Sequence, residues 1–490
     1  MRSSDGRNAA RRHRFTGARG LSMAAIPAAL TVLAATACSG GGTPASSQAG
    51  QQQAAAAGAA ARLSISPADG TRNVAPGKGI TVTAAHGKIG HVTVTEHGHP
   101  VPGLLTHGGT VWHSEWALNV SDRYQVTATA SSTAGKTVTA ASSFRTLTPS
   151  QTFQTQIFEG LNQTYGVGMP IKLTFSQPVA KRYRAGIERS LQIQTSKPVT
   201  GAWDWQSSTL LDFRPLDYWP KGTRISFTGH LDGVQAAPGV YGAAELTQSF
   251  RIGPSLIVVA STAQHSMSVY YNGRRIHHWP ISTGRPGDDT PNGTYLTIEK
   301  GNPVDMVGPG YNIEVPWSVR FTWSGDYLHD AYWSVGQQGF TNVSHGCVNM
   351  PPADAAVYYK MAVPGDPVTI VGSPRGGVWG NGWTDWFLSA KQLVAGSALH
   401  EAVQAGPSGS RFVNPATLPP AQPPPRCRHR VRATREPRNR NRLGAVQSTC
   451  RWEAREPPGT RQNRDGRDRD GRKIRRKRNN LRGLSRVSGV

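Results

Sequence analysis

Residues 327–349 read YLHDAYWSVGQQGFTNVSHGCVN and carry most of the chemical information in this chain. They place His329, His345 and Cys347 within 23 positions. A thiolate attacks carbonyl carbon well, but a free thiol is mostly protonated at neutral pH. A nearby imidazole can remove that proton, or it can form a thiolate–imidazolium pair with the sulfur. The stretch therefore predicts a cysteine–histidine acyl-transfer site, with both modes of activation open.

The residues around the cysteine fit this chemistry. Gly346 lets the backbone approach a substrate closely, and nearby backbone N–H groups would stabilise an oxyanion. Spacing does not decide which histidine is the base. His345 shares a face with Cys347 in an extended chain, whereas His329 is adjacent only if the fold brings it back. Zinc is an alternative, since all three side chains bind zinc. No second CxxC or HxxxH element supports it, and the sequence predicts neither metal nor cofactor.

Cysteine usage also singles out Cys347. The other three cysteines are Cys38, at the end of an export-like segment, and Cys427 and Cys450, in a basic tail. The body therefore has one cysteine and no partner for a disulfide within it, although export would bring it to an oxidising compartment. Such a thiol is either an apolar filler or a reactive group, and the neighbouring histidines favour the reactive group.

The N-terminus predicts export. Residues 1–37 combine an arginine-rich start with an apolar run, 21–37, that is too short to span a membrane comfortably. The small-small-Cys end resembles a bacterial lipobox, so Cys38 is predicted to be lipidated and to anchor the protein on the outer face of the cell membrane, in the cell-wall space. Residues 38–62 are mostly Gly, Ser, Gln and Ala, which predicts a flexible tether.

The formal charge of +25 is concentrated at the two ends of the chain. Residues 1–20 hold six arginines and one aspartate, and residues 421–490 hold 22 basic and six acidic residues. The 400 residues between them carry only +4. This distribution argues against a basic nucleic-acid-binding core, and we expect no specific nucleic-acid partner. Residues 406–490 are predicted to form a disordered basic tail.

The body is predicted to be mainly β. Residues 63–148 and 149–252 alternate apolar and polar positions in short runs separated by turn residues, which predicts two immunoglobulin-like β-sandwich domains. Residues 253–372 form a third β-rich unit, in which Asn272-Gly273 is a strong hairpin signal. Residues 373–405 are tryptophan-rich and are predicted to pack against that unit.

His329 followed by Ser344-His345-Gly346-Cys347-Val348-Asn349 resembles the motif of the L,D-transpeptidase family with a YkuD-type catalytic domain. Ser282-Thr-Gly and Thr290-Pro-Asn-Gly293 are also similar to early segments of that domain. The resemblance covers about residues 253–399. The lipobox-like signal, the two immunoglobulin-like domains and the tryptophan-rich segment are similar to the actinobacterial, mycobacterial-type branch.

The resemblance implies a reaction on peptidoglycan. Cys347 would be acylated by a tetrapeptide stem at meso-diaminopimelate, with release of D-Ala. Transfer of the acyl group to a second stem would form a 3→3 cross-link, whereas transfer to water would give L,D-carboxypeptidase activity. Donor and acceptor stems are the implied partners, and carbapenem β-lactams are the implied inhibitors.

The resemblance also implies roles for individual residues. Cys347 would be the nucleophile and His329 the base, oriented by a backbone carbonyl that belongs to Asp330. Residues that would shape the site or its oxyanion hole are His345, Gly346, Ser344 and Asp330. Residues that would contact substrate are Tyr311, Ser324, Gly325, Asn349 and Met306, of which Met306 and Tyr311 lie in a predicted lid.

Three other functions compete with this assignment. Nucleic-acid binding by the basic tail would be lost on deletion of residues 406–490, with no effect on the enzyme. A cysteine peptidase of the papain type would need an Asn or Asp partner far downstream of its histidine, and none is evident. A non-catalytic wall-binding lipoprotein would form no covalent adduct with any β-lactam.

Overall fold

The computed structural model describes residues 60–308 and 311–418, and the backbone of two short paired strands, Arg428–His429 and Cys450–Arg451. The predicted signal segment, Cys38, nearly all of the tether and most of the basic tail lie outside the described residues. Within the described part of the chain, no helix is long and apolar enough to cross a membrane.

The first module has eight strands: β1 (Arg62–Ser66), β2 (Thr81–Ala85), β3 (Gly87–Glu96), β4 (His99–Pro100), β5 (Gly103–Thr106), β6 (Val111–Ser114), β7 (Arg123–Ser132) and β8 (Thr137–Arg145). They form two antiparallel sheets, in the orders β1-β2-β6-β5 and β4-β3-β7-β8. Alternation along β7 buries Tyr124, Val126 and Ala128 and exposes the residues between them. Side chains at every second position thus form the core between the sheets, as the sequence predicts.

The second module has eleven strands and the helix α1 (Lys181–Arg189): β9 (Gln151–Phe153), β10 (Thr155–Ile157), β11 (Thr164–Tyr165), β12 (Ile171–Phe175), β13 (Leu191–Thr195), β14 (Val199–Trp205), β15 (Leu210–Pro215), β16 (Arg224–Gly229), β17 (Gln235–Ala237), β18 (Val240–Gly242) and β19 (Leu246–Ile252). One sheet contains β10-β12-β15-β14, another β11-β19-β16-β13, and a third β17-β18-β9. Large aromatic side chains, including Trp203, Phe213 and Phe227, are fully buried in its core.

The third unit also has eleven strands, with the helix α2 (Pro352–Met361): β20 (Leu256–Ser261), β21 (Ser266–Tyr271), β22 (Arg274–Pro280), β23 (Gly293–Leu296), β24 (Glu299–Gly301), β25 (Val304–Gly308), β26 (Tyr311–Val315), β27 (Ser318–Arg320), β28 (Tyr327–Asp330), β29 (Val348–Met350) and β30 (Pro367–Val371). Its sheets have the orders β22-β21-β20-β30-β23 and β24-β27-β28-β29, and β25-β26 is a separate hairpin. Asn272-Gly273 turns the chain between β21 and β22, as its sequence predicts.

The C-terminal segment crosses back from the third unit to the second. Trp386 donates its indole N–H to the Gly168 carbonyl (2.8 Å), and Phe387 packs edge-on against Tyr295 (5.1 Å between ring centroids). The helix α3 (Ala390–Gly396) follows, capped by the Ser389 hydroxyl. Beyond it, the buried Glu188 carboxylate accepts from the Ser397 hydroxyl (2.6 Å). These contacts join the second and third units through one segment.

A short 3₁₀ turn, Asp385–Phe387, precedes α3. The boundary at 406 that the sequence predicts for the disordered tail is wrong. The ordered chain continues past it, since β31 (Ala402–Gly406) and β32 (Gly409–Val413) form a hairpin. β31 pairs with β14 and so extends the sheet of the second module. This strand pair is not evident from its own short sequence, because its pairing partner lies far back in the chain.

The predicted fold class is confirmed: the described residues are mainly β, with immunoglobulin-like modules before a β-rich third unit. The helices α1 and α2 were not predicted. In α2, only Ala355 and Tyr358 are buried, so the apolar stripe is too narrow to give a clear helical period.

Candidate active site

Two parallel strands bring the cysteine and one histidine together. β28 pairs with β29 so that His329 lies opposite Asn349 and Leu328 opposite Val348. Cys347 directly precedes β29. Because paired residues point to the same face of a sheet, Asn349 shares the His329 face, and the Tyr327 N–H, two residues before His329 in β28, donates to Cys347 Sγ. Leu328 and Val348 point to the other face and are fully buried in the core.

His329 is positioned as a neutral base. Its side chain is buried, and Nδ1–H donates to the Asp330 carbonyl (2.6 Å). That bond leaves the Nε2 lone pair free to accept a proton. Burial lowers the pKa of His329 to about 4, although the hydrogen bond to the carbonyl acts in the opposite direction. The imidazole is therefore uncharged at neutral pH.

Asp330 contributes its backbone and not its carboxyl group to this arrangement. The carbonyl is the expected acceptor, while alternation places the side chain on the opposite face of β28. Within the described residues, Oδ1 of that buried carboxyl has no hydrogen-bond partner. The position thus orients the imidazole whatever its side chain is.

Cys347 is half-buried and lies among backbone groups. Its Sγ accepts from the Tyr327 N–H (3.4 Å), and the thiol donates to the Gly325 carbonyl (3.7 Å). Burial raises the pKa of Cys347 to about 12, and the Asp326 carboxylate adds to the shift, while the Tyr327 N–H opposes it. Of the two modes of activation, the structure therefore favours a neutral thiol beside a neutral imidazole.

The rate of Cys347 alkylation by iodoacetamide should rise steadily with pH. Only the thiolate reacts, and a raised pKa keeps the thiol protonated until the solution is strongly alkaline. Between about pH 6 and pH 10 we expect the alkylation rate to rise about tenfold per pH unit. Mass spectrometry of the peptide that contains Cys347 measures this rate. A rate independent of pH across this range would show a preformed thiolate and contradict the neutral pair.

The turn before the nucleophile has no room for a side chain. Gly346 has φ +129°, and a Cβ on it would lie 2.3 Å from Asp326 Oδ1. Its N–H donates to the Ser344 hydroxyl (3.2 Å), which itself donates to the Cys347 carbonyl (2.6 Å). Thr290 donates its hydroxyl to the Gly346 carbonyl (2.6 Å). Ser344, which belongs to the turn, and Thr290, which lies elsewhere in the chain, thus both stabilise the turn by hydrogen bonds.

Gly346→Ala should lower the free energy of unfolding by about 1–3 kcal/mol and strongly slow the reaction of Cys347. The added Cβ meets a carboxylate oxygen in addition to the cost of a positive φ. Chemical denaturation measures the first effect. Gly287→Ala is the matched control, because Gly287 has φ +95° and open space around it. Equal losses in both variants would show that the contact with Asp326 is unimportant.

Asn349 is buried and lies opposite His329 on the neighbouring strand. Its Nδ2 donates to the Ser334 hydroxyl (2.9 Å), and Gln338 donates to the Ala331 carbonyl beside it (3.0 Å). Oδ1 of Asn349 is buried and has no hydrogen-bond partner among the residues that the structure describes. The amide is therefore fixed on one side, with its acceptor atom left for another group.

The hairpin β25–β26 supplies the predicted lid residues. The Tyr311 ring lies 5.1 Å from that of His345, which is exposed. Burial raises the pKa of Tyr311, and the nearby charge of Cys347 adds to it, which places the phenol near the thiol. Met306 pairs with Ile313 in the same hairpin and is half-buried. The structure thus brings Tyr311 and His345 together beside the cysteine.

Ser324 and Gly325 lie in the turn between β27 and β28. The Ser324 hydroxyl donates to Asp326 Oδ2 (3.2 Å) and accepts from Asn381 Nδ2 (2.9 Å). This side chain is already engaged by protein groups, so its expected contact with substrate stays a prediction. Sequence reasoning missed Asp326 and Asn381, since neither belongs to a recognisable motif. Thr290 lay in a quoted segment but had no assigned role.

The zinc alternative would need His329, His345 and Cys347 in one ligand set. Across the described residues, the group of side chains close enough to hold an ion is instead Glu96, His97 and Asp122, in the first module. His329 donates to a carbonyl through Nδ1, and His345 packs against Tyr311. The three side chains of the cysteine site do not form such a group.

Comparison with known proteins gives the family. The sequence profile of a bacterial Ig domain matches residues 71–235. The profile of an L,D-transpeptidase catalytic domain matches residues 254–370. L,D-transpeptidase 2 of Mycobacterium tuberculosis is 32% identical over 350 residues, covering 69% of this chain and 85% of that protein. The chain belongs to the L,D-transpeptidase family. The family, the fold class and the enzyme class predicted from the sequence are thereby confirmed.

Two further similarities each cover less than half of this chain. L,D-transpeptidase 1 of Mycobacterium tuberculosis is 39% identical over 217 residues, covering 42% of this chain and 80% of that protein. An L,D-transpeptidase solved in complex with imipenem is 35% identical, with a TM-score of 0.39, and the match covers 46% of this chain and all of the other. In this L,D-transpeptidase, the cysteine and histidine described above lie within the region matched by the catalytic-domain profile.

Proposed function

We propose that this L,D-transpeptidase joins peptidoglycan stems through a thioester on Cys347. One observation carries the proposal: Cys347 Sγ accepts from the Tyr327 N–H of β28, two residues before His329, whose Nδ1 is held by a carbonyl. A nucleophile beside an oriented base is the arrangement that acyl transfer requires.

The first half-reaction uses both residues. Nε2 of His329 takes the thiol proton as Sγ attacks the carbonyl carbon of diaminopimelate in the donor stem. Negative charge moves to the carbonyl oxygen. The intermediate collapses when the imidazolium returns the proton to the departing amine of D-Ala, and a thioester remains. The Tyr327 N–H, 3.4 Å from Sγ, stabilises the sulfur as its charge develops.

The second half-reaction selects the product. The diaminopimelate amine of a second stem attacks the thioester, loses its proton to His329 and releases the thiol, which gives a 3→3 cross-link. Water in place of the amine gives a trimmed tripeptide, which is the L,D-carboxypeptidase alternative. The half-buried, aromatic surroundings of the sulfur, with Tyr311 close by, favour an amine acceptor by limiting access of water.

Purified tetrapeptide stems test this proposal. Incubation with the enzyme should yield free D-Ala and a dimer that has lost one D-Ala, both identified by liquid chromatography and mass spectrometry. A tripeptide without dimer would establish the carboxypeptidase alternative. Unchanged stems, with a folded enzyme, would contradict both activities and leave the wall-binding function.

We also propose that the protein is exported and held at the outer face of the membrane by lipid on Cys38. The support is the sequence of residues 1–62 alone: an arginine-rich start, a short apolar run, a cysteine after small residues and a tether of small and polar residues. Expression in a bacterium that processes lipoproteins, with labelled palmitate, should label the protein. Labelling that persists in Cys38→Ser would contradict this anchor.

A further inference from the structure

The turn from Thr322 to Asp326 forms one side of the surroundings of the sulfur. Gly325, with φ +100°, directs its carbonyl to the thiol (3.7 Å). Asp326 follows and lies against Gly346, where a Cβ would be 2.3 Å from its Oδ1. The Tyr327 N–H is next in the chain and donates to Sγ. Three consecutive residues thus set the polar environment of Cys347. The positions of these residues depend on the position of the turn.

The turn is closed internally by a carboxylate. Oδ2 of Asp326 accepts from the Thr322 hydroxyl (2.7 Å) and from the Ser324 hydroxyl (3.2 Å). The Asp326 N–H also donates to the hydroxyl oxygen of Thr322 (2.8 Å). These bonds fix the shape of the turn but not its location relative to Cys347.

The pairing of β27 with β28 and the Arg320 guanidinium hold the base of the turn, and the C-terminal segment holds it at Ser324. The Ser324 N–H donates to Asn381 Oδ1 (2.9 Å), and Asn381 Nδ2 donates to the Ser324 hydroxyl (2.9 Å). The next residue, Gly382, lies so close that a Cβ on it would be 2.6 Å from the Phe321 carbonyl oxygen. One side-chain amide therefore bonds both the N–H and the hydroxyl of Ser324, at a place where the two backbones are already in contact.

We propose that Asn381 is a positioning residue for Cys347, acting through Ser324 on the turn that carries the Gly325 carbonyl and the Tyr327 N–H. The C-terminal segment thereby completes the active site, although it contributes no group that touches substrate. This inference rests on the proposed role of Cys347 as the nucleophile.

Asn381→Leu tests the inference, because leucine has a similar size and no polar atoms. The rate of Cys347 acylation by a carbapenem, followed by intact-protein mass spectrometry, should fall about 10- to 100-fold, as expected for a misplaced catalytic group. The pH dependence of alkylation by iodoacetamide should also shift away from that of the wild type, because the turn carries both the Gly325 carbonyl, which accepts from the thiol, and the Tyr327 N–H, which favours the thiolate. Asn381→Ala serves as a second variant if leucine impairs folding.

Two controls separate positioning from general loosening. Ser389→Ala removes the cap of α3 in the same segment and should leave both readouts unchanged. In the double variant Ser324→Ala/Asn381→Leu, the effects should be less than additive, because both changes break the same contact. Equal losses with Ser389→Ala, additive effects, or wild-type acylation of Asn381→Leu would each overturn the inference. Absence of acylation in the wild type would instead refute the proposed function, and the alkylation readout does not depend on that function.

Discussion

Replacing Cys347 by alanine should abolish every covalent adduct with a carbapenem and lower cross-linking by a factor on the order of 10⁴ or more. The thioester needs the sulfur, and within the described residues Cys347 is the free cysteine. Intact-protein mass spectrometry should show the wild type gaining the mass of the drug while the variant keeps its own mass.

Two controls make that result specific. Cys427→Ser/Cys450→Ser changes the cysteines of the tail, and this variant should be acylated like the wild type. Thermal unfolding of Cys347→Ala should remain cooperative, because the sulfur is half-buried and a smaller side chain causes no clash. An adduct on folded Cys347→Ala would refute the assignment of the nucleophile.

His329→Ala should slow acylation by about 10²–10⁴-fold, the usual contribution of a general base. Without the imidazole, the thiol, whose pKa is raised by burial, has no acceptor for its proton. In the wild type, the pKa of His329 near 4 means that acylation should decline only as the pH falls through about 4, where the imidazole becomes protonated. The variant should lose this acid limb. Stopped-flow measurement of β-lactam acylation across pH gives both results.

His345→Ala is the matched comparison for the base. His345 is closer to Cys347 in sequence, but its ring is exposed and packs against Tyr311. We expect this variant to retain most of the acylation rate and the acid limb. A loss as large as that of His329→Ala would reverse the two assignments, which the spacing of the residues alone cannot decide.

The parts of the fold that could be predicted are those with local signals. Alternation marked β7 and its neighbours, and Asn272-Gly273 marked the turn between β21 and β22. The helix α1 is largely polar and depends on the sheet that it covers, so its sequence does not clearly predict a helix. The hairpin β31–β32 depends on pairing with β14, and such long-range pairing leaves no mark in a five-residue segment.

The residues of the site also fall into those with a local sequence signal and those without one. Cys347 and His329 belong to a long motif, so their proximity followed from the resemblance to the family. The polar residues that surround them, Asp326, Thr290 and Asn381, come from separate turns and from the C-terminal segment. Their contacts exist only in the folded chain. The roles assigned to Met306, Ser324 and Asn349 in substrate contact stay predictions, which variants assayed with stem peptides can check.

Strand β31 lies beside β14 in one sheet, although the entire catalytic domain separates them along the chain. In topological terms, the catalytic domain is an insertion within the second module. A chain made from its N-terminus cannot complete that sheet until the last residue of the insertion has been synthesised. The pairing raises the contact order, which slows folding. It also means that the two domains should unfold in a single cooperative transition, since the segment that leads into β31 packs against both of them.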